Sequence, residues 1–204
     1  MKTFVVGGDN SYTSFISDCE VVSKISDADV IVFTGGEDVS PSYYNGTKSI
    51  YTKSNINRDR KEKAIFSKIP KDKLCIGIGR GAQFLSVMYG AKLIQHVRGH
   101  DNDSHIISAV DENVQFYINS YHHQLIDLNS LNSKVYRLLY YSTCVKQILD
   151  FPDDIGFNGI YLEPEVILFN DNIHPKCLCI QGHPEKIPNT QVAKMLDSTI
   201  HSLL

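Results

Sequence analysis

The sequence lacks any apolar run near the ~20 residues that a bilayer-spanning helix needs, so a helical membrane protein is not expected. Its five cysteines (Cys19, Cys75, Cys144, Cys177 and Cys179) are odd in number and widely scattered, which argues against a disulfide-stapled secreted domain. A reduced, cytoplasmic setting is the expectation that follows. Neither sign of charge dominates: 20 Lys and Arg against 23 Asp and Glu leave a formal net charge of −3. That balance offers no basic footprint for a nucleic-acid partner. Repeats, low-complexity tracts and long linkers are missing too. With 204 residues, 42% of them hydrophobic, the chain is expected to fold as one globular domain spanning 1–204.

What is present alternates in character along the chain. Thr3 to Val6, Val30 to Thr34 and Leu74 to Ile78 are short runs rich in β-branched or apolar residues. Their apolar residues are continuous rather than alternating, as in parallel strands buried on both faces. Met1 to Gly8 accordingly reads as a first strand and its turn, not as a leader. Helical spacing fills the gaps. Asn57 to Ile69 would turn Ala64, Ile65 and Ile69 inward and stop at Pro70, while Gln83 to Tyr89 carries Phe84, Leu85, Val87 and Met88. Strand–helix–strand alternation predicts an α/β fold with a mostly parallel sheet. Runs at 104–119, 135–142 and 157–182 have few helical signals between them and predict antiparallel additions in the C-terminal half. Thr190 to Leu204 closes the chain with a helical stripe of Val192, Met195, Leu196 and Ile200. The stretch Arg58 to Lys63 interleaves acids with bases, which predicts a solvated helix face.

The chemistry gathers at strand ends. Gly77, Gly79 and Ala82 fit a dinucleotide fingerprint, in which glycines let the backbone approach a pyrophosphate. That fingerprint normally follows the first strand of its unit, and here it follows the third. The same residues fit a nucleophile elbow, where a tight strand-to-helix turn flanked by glycines lifts one side chain above the sheet. Gly77 and Gly81 would then make room, and the apex, Gly79, would carry no side chain. Three further segments follow strands: Phe33 to Pro41 with Gly35-Gly36, Asn119 to Gln124, and Gln181 to Glu185. In the last, His183 and Glu185 suit a general base and an orienting carboxylate.

Taken together, these landmarks resemble the class I glutamine amidotransferases, and within them the γ-glutamyl amide hydrolases. The carriers are T-G-G-x-D-V-x-P at Thr34 to Pro41, R-D-x-x-E at Arg58 to Glu62, G-I-x-R-G-x-Q at Gly77 to Gln83, S-Y-H-H-Q at Ser120 to Gln124, and H-P-E at His183 to Glu185. The resemblance implies a flavodoxin-like α/β domain, its mostly parallel central sheet flanked by helices. It implies cleavage of a glutamine or γ-glutamyl amide C–N bond through a cysteine thioester, with no cofactor and no metal. By position, His183 would be the base, Glu185 its partner, and the amides of Gly36 and Arg80 the oxyanion donors. Gln83, Ser120, Tyr121, His122 and His123 would line the γ-glutamyl pocket, with one of the two histidines facing the site and the other packing away from it.

The sequence departs from that family at two places. Gly79 stands where the family has its nucleophile, so the chain is expected to be inactive as an amidase, as an inactivated hydrolase or a natural pseudoenzyme that binds a γ-glutamyl ligand or a protein. Gly182 stands where relatives carry an aromatic residue before His-Pro-Glu, which would open the pocket beside His183 or reposition the base. Small-molecule glutamine or a γ-glutamyl amide is the expected ligand, with a separate synthetase or ligase chain as the partner if ammonia is passed on. The histidines His96, His100 and His105 form H-x3-H-x4-H, a spacing that matches no common zinc pattern and reads as a coincidence in a loop.

Overall fold

The computed structural model describes residues 1–100, 103–129, 131–149 and 162–204. The strands of the first half are β1 (Lys2–Val6), β2 (Glu20–Val21), β3 (Val30–Phe33) and β4 (Leu74–Ile78), with helices α1 (Ile56–Phe66) and α2 (Arg80–Met88). The second half adds β5 (Lys92–Ile94), β6 (Val97–Arg98), β7 (Asp103–Ala109), β8 (Gln115–Ser120), β9 (Leu125–Asp127), β10 (Tyr136–Ser142), β11 (Gln147–Ile148), β12 (Glu163–Phe169), β13 (Lys176–Ile180) and α3 (Gln191–Leu203). Nine strands form one sheet in the order β2-β1-β3-β4-β13-β12-β10-β7-β8. The pairs from β2 through β13 are parallel, and those from β13 through β8 are antiparallel. The predicted α/β architecture and its antiparallel extension are both present. Residues 157–161 of the last predicted strand run lie outside the described residues.

Continuous apolar strands arise because both faces of the parallel half are covered. Ile31 and Phe33 of β3, Cys75 of β4, and Cys177 and Cys179 of β13 pack with Phe66 of α1 and Phe84 and Leu85 of α2. The alternate residues Val30, Val32, Leu74, Ile76, Ile78, Leu178 and Ile180 face the other way, onto Val192, Leu196 and Ile200 of α3. A strand pleat sends neighbours to opposite faces, so burying both faces demands apolar residues at every position. Met195, expected on the inner stripe of α3, is only half-buried.

Helix α1 differs from its prediction. Ala64 is exposed, Ile65 is half-buried, and Ile69 is buried but lies beyond the helix end. The inward residues are Asp59, Glu62 and Phe66, at i, i+3 and i+7. The Arg58 to Lys63 stretch is therefore not simply a solvated face: Asp59 and Glu62 are 0% and 2% exposed, whereas Arg60, Lys61 and Lys63 face solvent. Two carboxylates can be buried there because Arg80, itself buried, contacts both. Among the described residues, no helix is long and apolar enough to cross a membrane.

Candidate active site

Parallel neighbours β3, β4 and β13 end side by side, and each runs directly into one of the segments singled out in the sequence. Open α/β sheets bind ligands beyond the carboxyl ends of their strands for this reason. Gly79 leaves β4 with φ +55° and ψ −117°, and its amide donates to the Ile180 carbonyl at 2.8 Å. Helix α2 starts at the next residue and has no side-chain cap, so its first-turn amides lack the partner that a capping side chain would supply. Crowding explains the flanking glycines. A Cβ at Gly77 would sit 2.6 Å from the Ala82 amide nitrogen, and one at Gly81 2.0 Å from the Phe33 carbonyl oxygen.

His183 follows β13 and faces this apex. A Cβ built on Gly79 would lie 2.6 Å from His183 Nε2. His183 Nδ1 is 2.7 Å from Glu185 Oε1; a carboxylate accepts, so Nδ1 carries a proton and Nε2 faces position 79. Asn119 fixes the backbone of the same residue twice: its Oδ1 accepts from the His183 amide and its Nδ2 donates to the His183 carbonyl, both at 2.9 Å. The sequence pattern assigns Asn119 no role, because nothing in its neighbourhood along the chain says that the end of edge strand β8 meets the exit of β13.

The turn after β3 is held from behind by Arg58. Its Nη2 donates to the Gly35 carbonyl at 2.9 Å, Nη1 to Glu37 Oε2 at 2.7 Å and Nε to Glu62 Oε1 at 2.8 Å. Glu62 also contacts Arg80, so one carboxylate joins the glycine turn to the first residue of α2. Its own backbone amide, and then Arg58, hold the Glu37 carboxyl below its ordinary range. Gly36, Gly79, Arg80, Gln83, Tyr121, His122, His123 and His183 surround one cavity of about 430 Å³. Glu185 stands behind His183. Tyr12, which the sequence did not single out, also lines the cavity; burial and then Glu185 raise its hydroxyl pKa.

Three expectations are corrected. Ser120 does not reach the cavity: it is fully buried, and its hydroxyl donates to the His100 carbonyl at 3.0 Å. His122 and His123 do not divide into one facing and one packing residue, because both line the cavity. They differ in solvation instead. His123 Nε2 lies 3.0 Å from Asp38 Oδ1 and is partly open, whereas burial, then the nearby His100 and His105 imidazoles, hold His122 well below the ordinary histidine range. Gly182 opens no space, since a Cβ there would sit 2.5 Å from Ile118 Cδ1.

No cysteine lines the cavity among the described residues. All five are free thiols, and burial raises the pKa of Cys177 and Cys179, which leaves them inert.

A family model described as Peptidase C26 matches residues 16–115. The glutamine amidotransferase-like protein YvdE of Lactococcus lactis is 33% identical over 120 residues, 48% of this chain. That segment is about half the length of the relative, 50%. Two solved structures superpose on the whole chain. One, described as a GMP synthase component of Thermoplasma acidophilum, is matched over 93% of its own length at TM-score 0.62 and 17% identity. The other, a glutamine amidotransferase of Thermotoga maritima, is matched over 94% at TM-score 0.56 and 10% identity. At such identities the structures speak for the fold alone, and the sequence matches span about half of the chain. The chain thus resembles the Peptidase C26 family over residues 16–115 and shares the fold of glutamine amidotransferase structures over its whole length.

Proposed function

We propose that the cavity binds glutamine or a γ-glutamyl amide and that the chain does not cleave it through a thioester, because the position of the nucleophile is Gly79. The observation that carries this reading is the 2.6 Å between His183 Nε2 and the place of a Cβ at residue 79. A base aimed at an apex, with Glu185 behind it, is the arrangement that activates a nucleophile in acyl transfer. The amides of Gly36 and Arg80 would receive the amide oxygen, and Gln83, Tyr121, His122 and His123 would hold the γ-glutamyl group. Without a thiol, the donors and the base can bind and polarise the amide but cannot form the acyl intermediate.

The imidazole fills the space that a side chain at 79 would need, so a nucleophile there would require it to withdraw. A natural module that binds a γ-glutamyl ligand or a protein partner is the second reading. If ammonia were ever passed on, a separate synthetase or ligase chain would have to receive it.

Calorimetry with glutamine and γ-glutamyl amides, paired with an ammonia-release assay, tests the reading. Saturable binding without turnover is expected, and binding should weaken in Gln83→Ala. Turnover by the unaltered chain that disappears in His183→Ala would instead mean that the histidine activates water directly. Absence of binding by every γ-glutamyl amide would remove the ligand assignment.

A further inference from the structure

Behind the cavity, on the antiparallel side, lies a second group of ionisable side chains, of which the proposed amide site uses only His122. His100 follows β6, His105 lies on β7, His122 follows β8, and Glu163 and Glu165 lie on β12. All five are buried; His100, Glu163 and Glu165 are 0% exposed. Two of the three histidines of the H-x3-H-x4-H pattern thus meet in space, contrary to the expectation of a loop coincidence. His96 goes elsewhere, stacking on Tyr51 with ring centroids 4.0 Å apart. Spacing along the chain could not reveal the group because its carboxylates come from a strand some sixty residues away.

The hydrogen bonds fix the Nδ1 protons of His100 and His122 and turn their Nε2 atoms toward carboxylates. Ser120 donates its hydroxyl to the His100 carbonyl, so toward His100 Nδ1, 3.1 Å away, it can only accept. Nδ1 of His100 therefore carries a proton, and its Nε2 points at Glu163 Oε2, 2.6 Å away. His122 Nδ1 faces the Gln124 carbonyl at 3.0 Å, which again puts the proton on Nδ1. Its Nε2 is buried, has no hydrogen-bond partner, and lies 4.0 Å from Glu165 Oε1. His105 Nε2 lies 2.9 Å from that same oxygen, while His105 Nδ1 and the second oxygen of Glu165 are buried without a partner. Neutral imidazoles would set lone pairs against lone pairs at His100–Glu163 and at His122–Glu165 in a site shielded from water, which costs free energy unless an added proton or a metal ion lies between them.

We infer that His100, His105 and Glu165 form a binding site for one divalent transition-metal ion of the zinc type, with His122 as a fourth donor. One ligand atom from each of the first three residues already lies within 4.8 Å of the others. Two imidazoles and a carboxylate are a proven zinc donor set, with bonds of about 2.0–2.2 Å. Tetrahedral donors then stand about 3.3 Å apart, so closing the site takes side-chain rotation and no movement of strands. Glu163 and Glu165 together supply two negative charges against the dication. The Nδ1–H bonds of His100 to Ser120 and of His122 to Gln124 are the outer-sphere contacts that orient ligating imidazoles. Such an ion would clip β7 to β12 and fix the segment from which Tyr121 and His122 enter the cavity. The three core donors, His100, His105 and Glu165, are not part of the amide reading, and only His122 is shared with it.

The test uses the full chain, stripped with a chelator and then dialysed against Zn2+ alone. About one equivalent per chain is expected, with a rise in thermal midpoint. His105→Ala and Glu165→Gln should each weaken Zn2+ binding by roughly tenfold or more. His201→Ala, at an exposed surface histidine, should leave it unchanged. Should the variants fail to fold, X-ray absorption and Co2+ spectra of the unaltered chain decide, and a tetrahedral site with at least two imidazoles is expected. Loading far below one equivalent, zinc bound through fewer than two imidazoles, or full binding by both folded variants would overturn the inference and leave the cluster held by protons.

Discussion

Replacing Gly79 with cysteine asks whether the apex is a vacated nucleophile position, and the structure sets the terms. Gly79 has φ +55°, a region where a residue with a Cβ is strained by roughly 1–3 kcal/mol. The new Cβ also starts 2.6 Å from His183 Nε2, so the imidazole must withdraw by about 0.9 Å to reach an ordinary contact of ~3.5 Å. It is held by Glu185 and, through its backbone, by Asn119, so the withdrawal falls on side-chain torsions. Gly79→Cys should therefore lose roughly 1–3 kcal/mol of stability, or about 2–12 °C in thermal midpoint for a chain of this size. Gly79→Ala suffers the same strain without the thiol and is the matched control. Against it, Gly79→Cys should release ammonia from glutamine or a γ-glutamyl amide on the order of 10³-fold faster, because the nucleophile acts as a unit with its base. Intact-mass spectrometry should capture the acyl thioester. A folded Gly79→Cys protein with neither adduct nor turnover above Gly79→Ala would refute the reasoning.

Other consequences can be measured directly. Arg80→Leu leaves Asp59 and Glu62 buried without the cation they share and should cost about 3–5 kcal/mol in chemical denaturation; a loss below ~1 kcal/mol would mean that the pair is solvated. Asn119→Ala removes two buried hydrogen bonds to the His183 backbone and should cost about 1–3 kcal/mol while weakening γ-glutamyl ligand binding more than overall folding suggests. Glu37 has a folded-state pKa below its ordinary value, so the stability it contributes is present at neutral pH and lost as pH falls below 4.5 through the folded value. Glu37→Gln should flatten that part of the acid denaturation profile, and an unchanged profile would remove Glu37 as its source. Gly182→Ala drives a Cβ into Ile118 and should cost about 1–3 kcal/mol; a neutral result would show that the β8 edge yields.

Strands β3 and β4 and the elbow were legible in the sequence because each is fixed locally: continuous apolar residues say buried on both faces, and Gly-x-Gly-x-Gly says a turn with no room for side chains. Where the sequence misleads, the determinant is a partner far along the chain. Asp59 and Glu62 look solvated beside Arg60 and Lys61, and only Arg80 on another element makes their burial tolerable. The Ala64–Ile65 face seemed the natural inner side of α1, yet the helix turns toward a cation instead. Ser120 belongs to an S-Y-H-H-Q run, and the strand pleat sends it away from its neighbour Tyr121 and into the histidine cluster. Gly182 looks like an open door in one dimension and is closed by Ile118 of β8 in three.

Two buried polar groups of opposite composition therefore flank the same histidine turn. On the parallel side, Asp59 and Glu62 meet Arg80, and Glu62 and Glu37 meet Arg58, so each carboxylate has a guanidinium. On the antiparallel side, Glu163 and Glu165 form ion pairs only with imidazoles among the described residues. A guanidinium keeps its charge at any pH a protein survives, whereas an imidazole cannot be relied on to hold one above neutrality. The first group is thus electrically complete within the chain, and its rigidity passes to the amides of Gly36 and Arg80. The second is incomplete by its own chemistry and must take protons or a metal ion from solution. His122 lines the cavity and lies 4.0 Å from Glu165, so an ion bound at the proposed site would act on the cavity wall through that one imidazole.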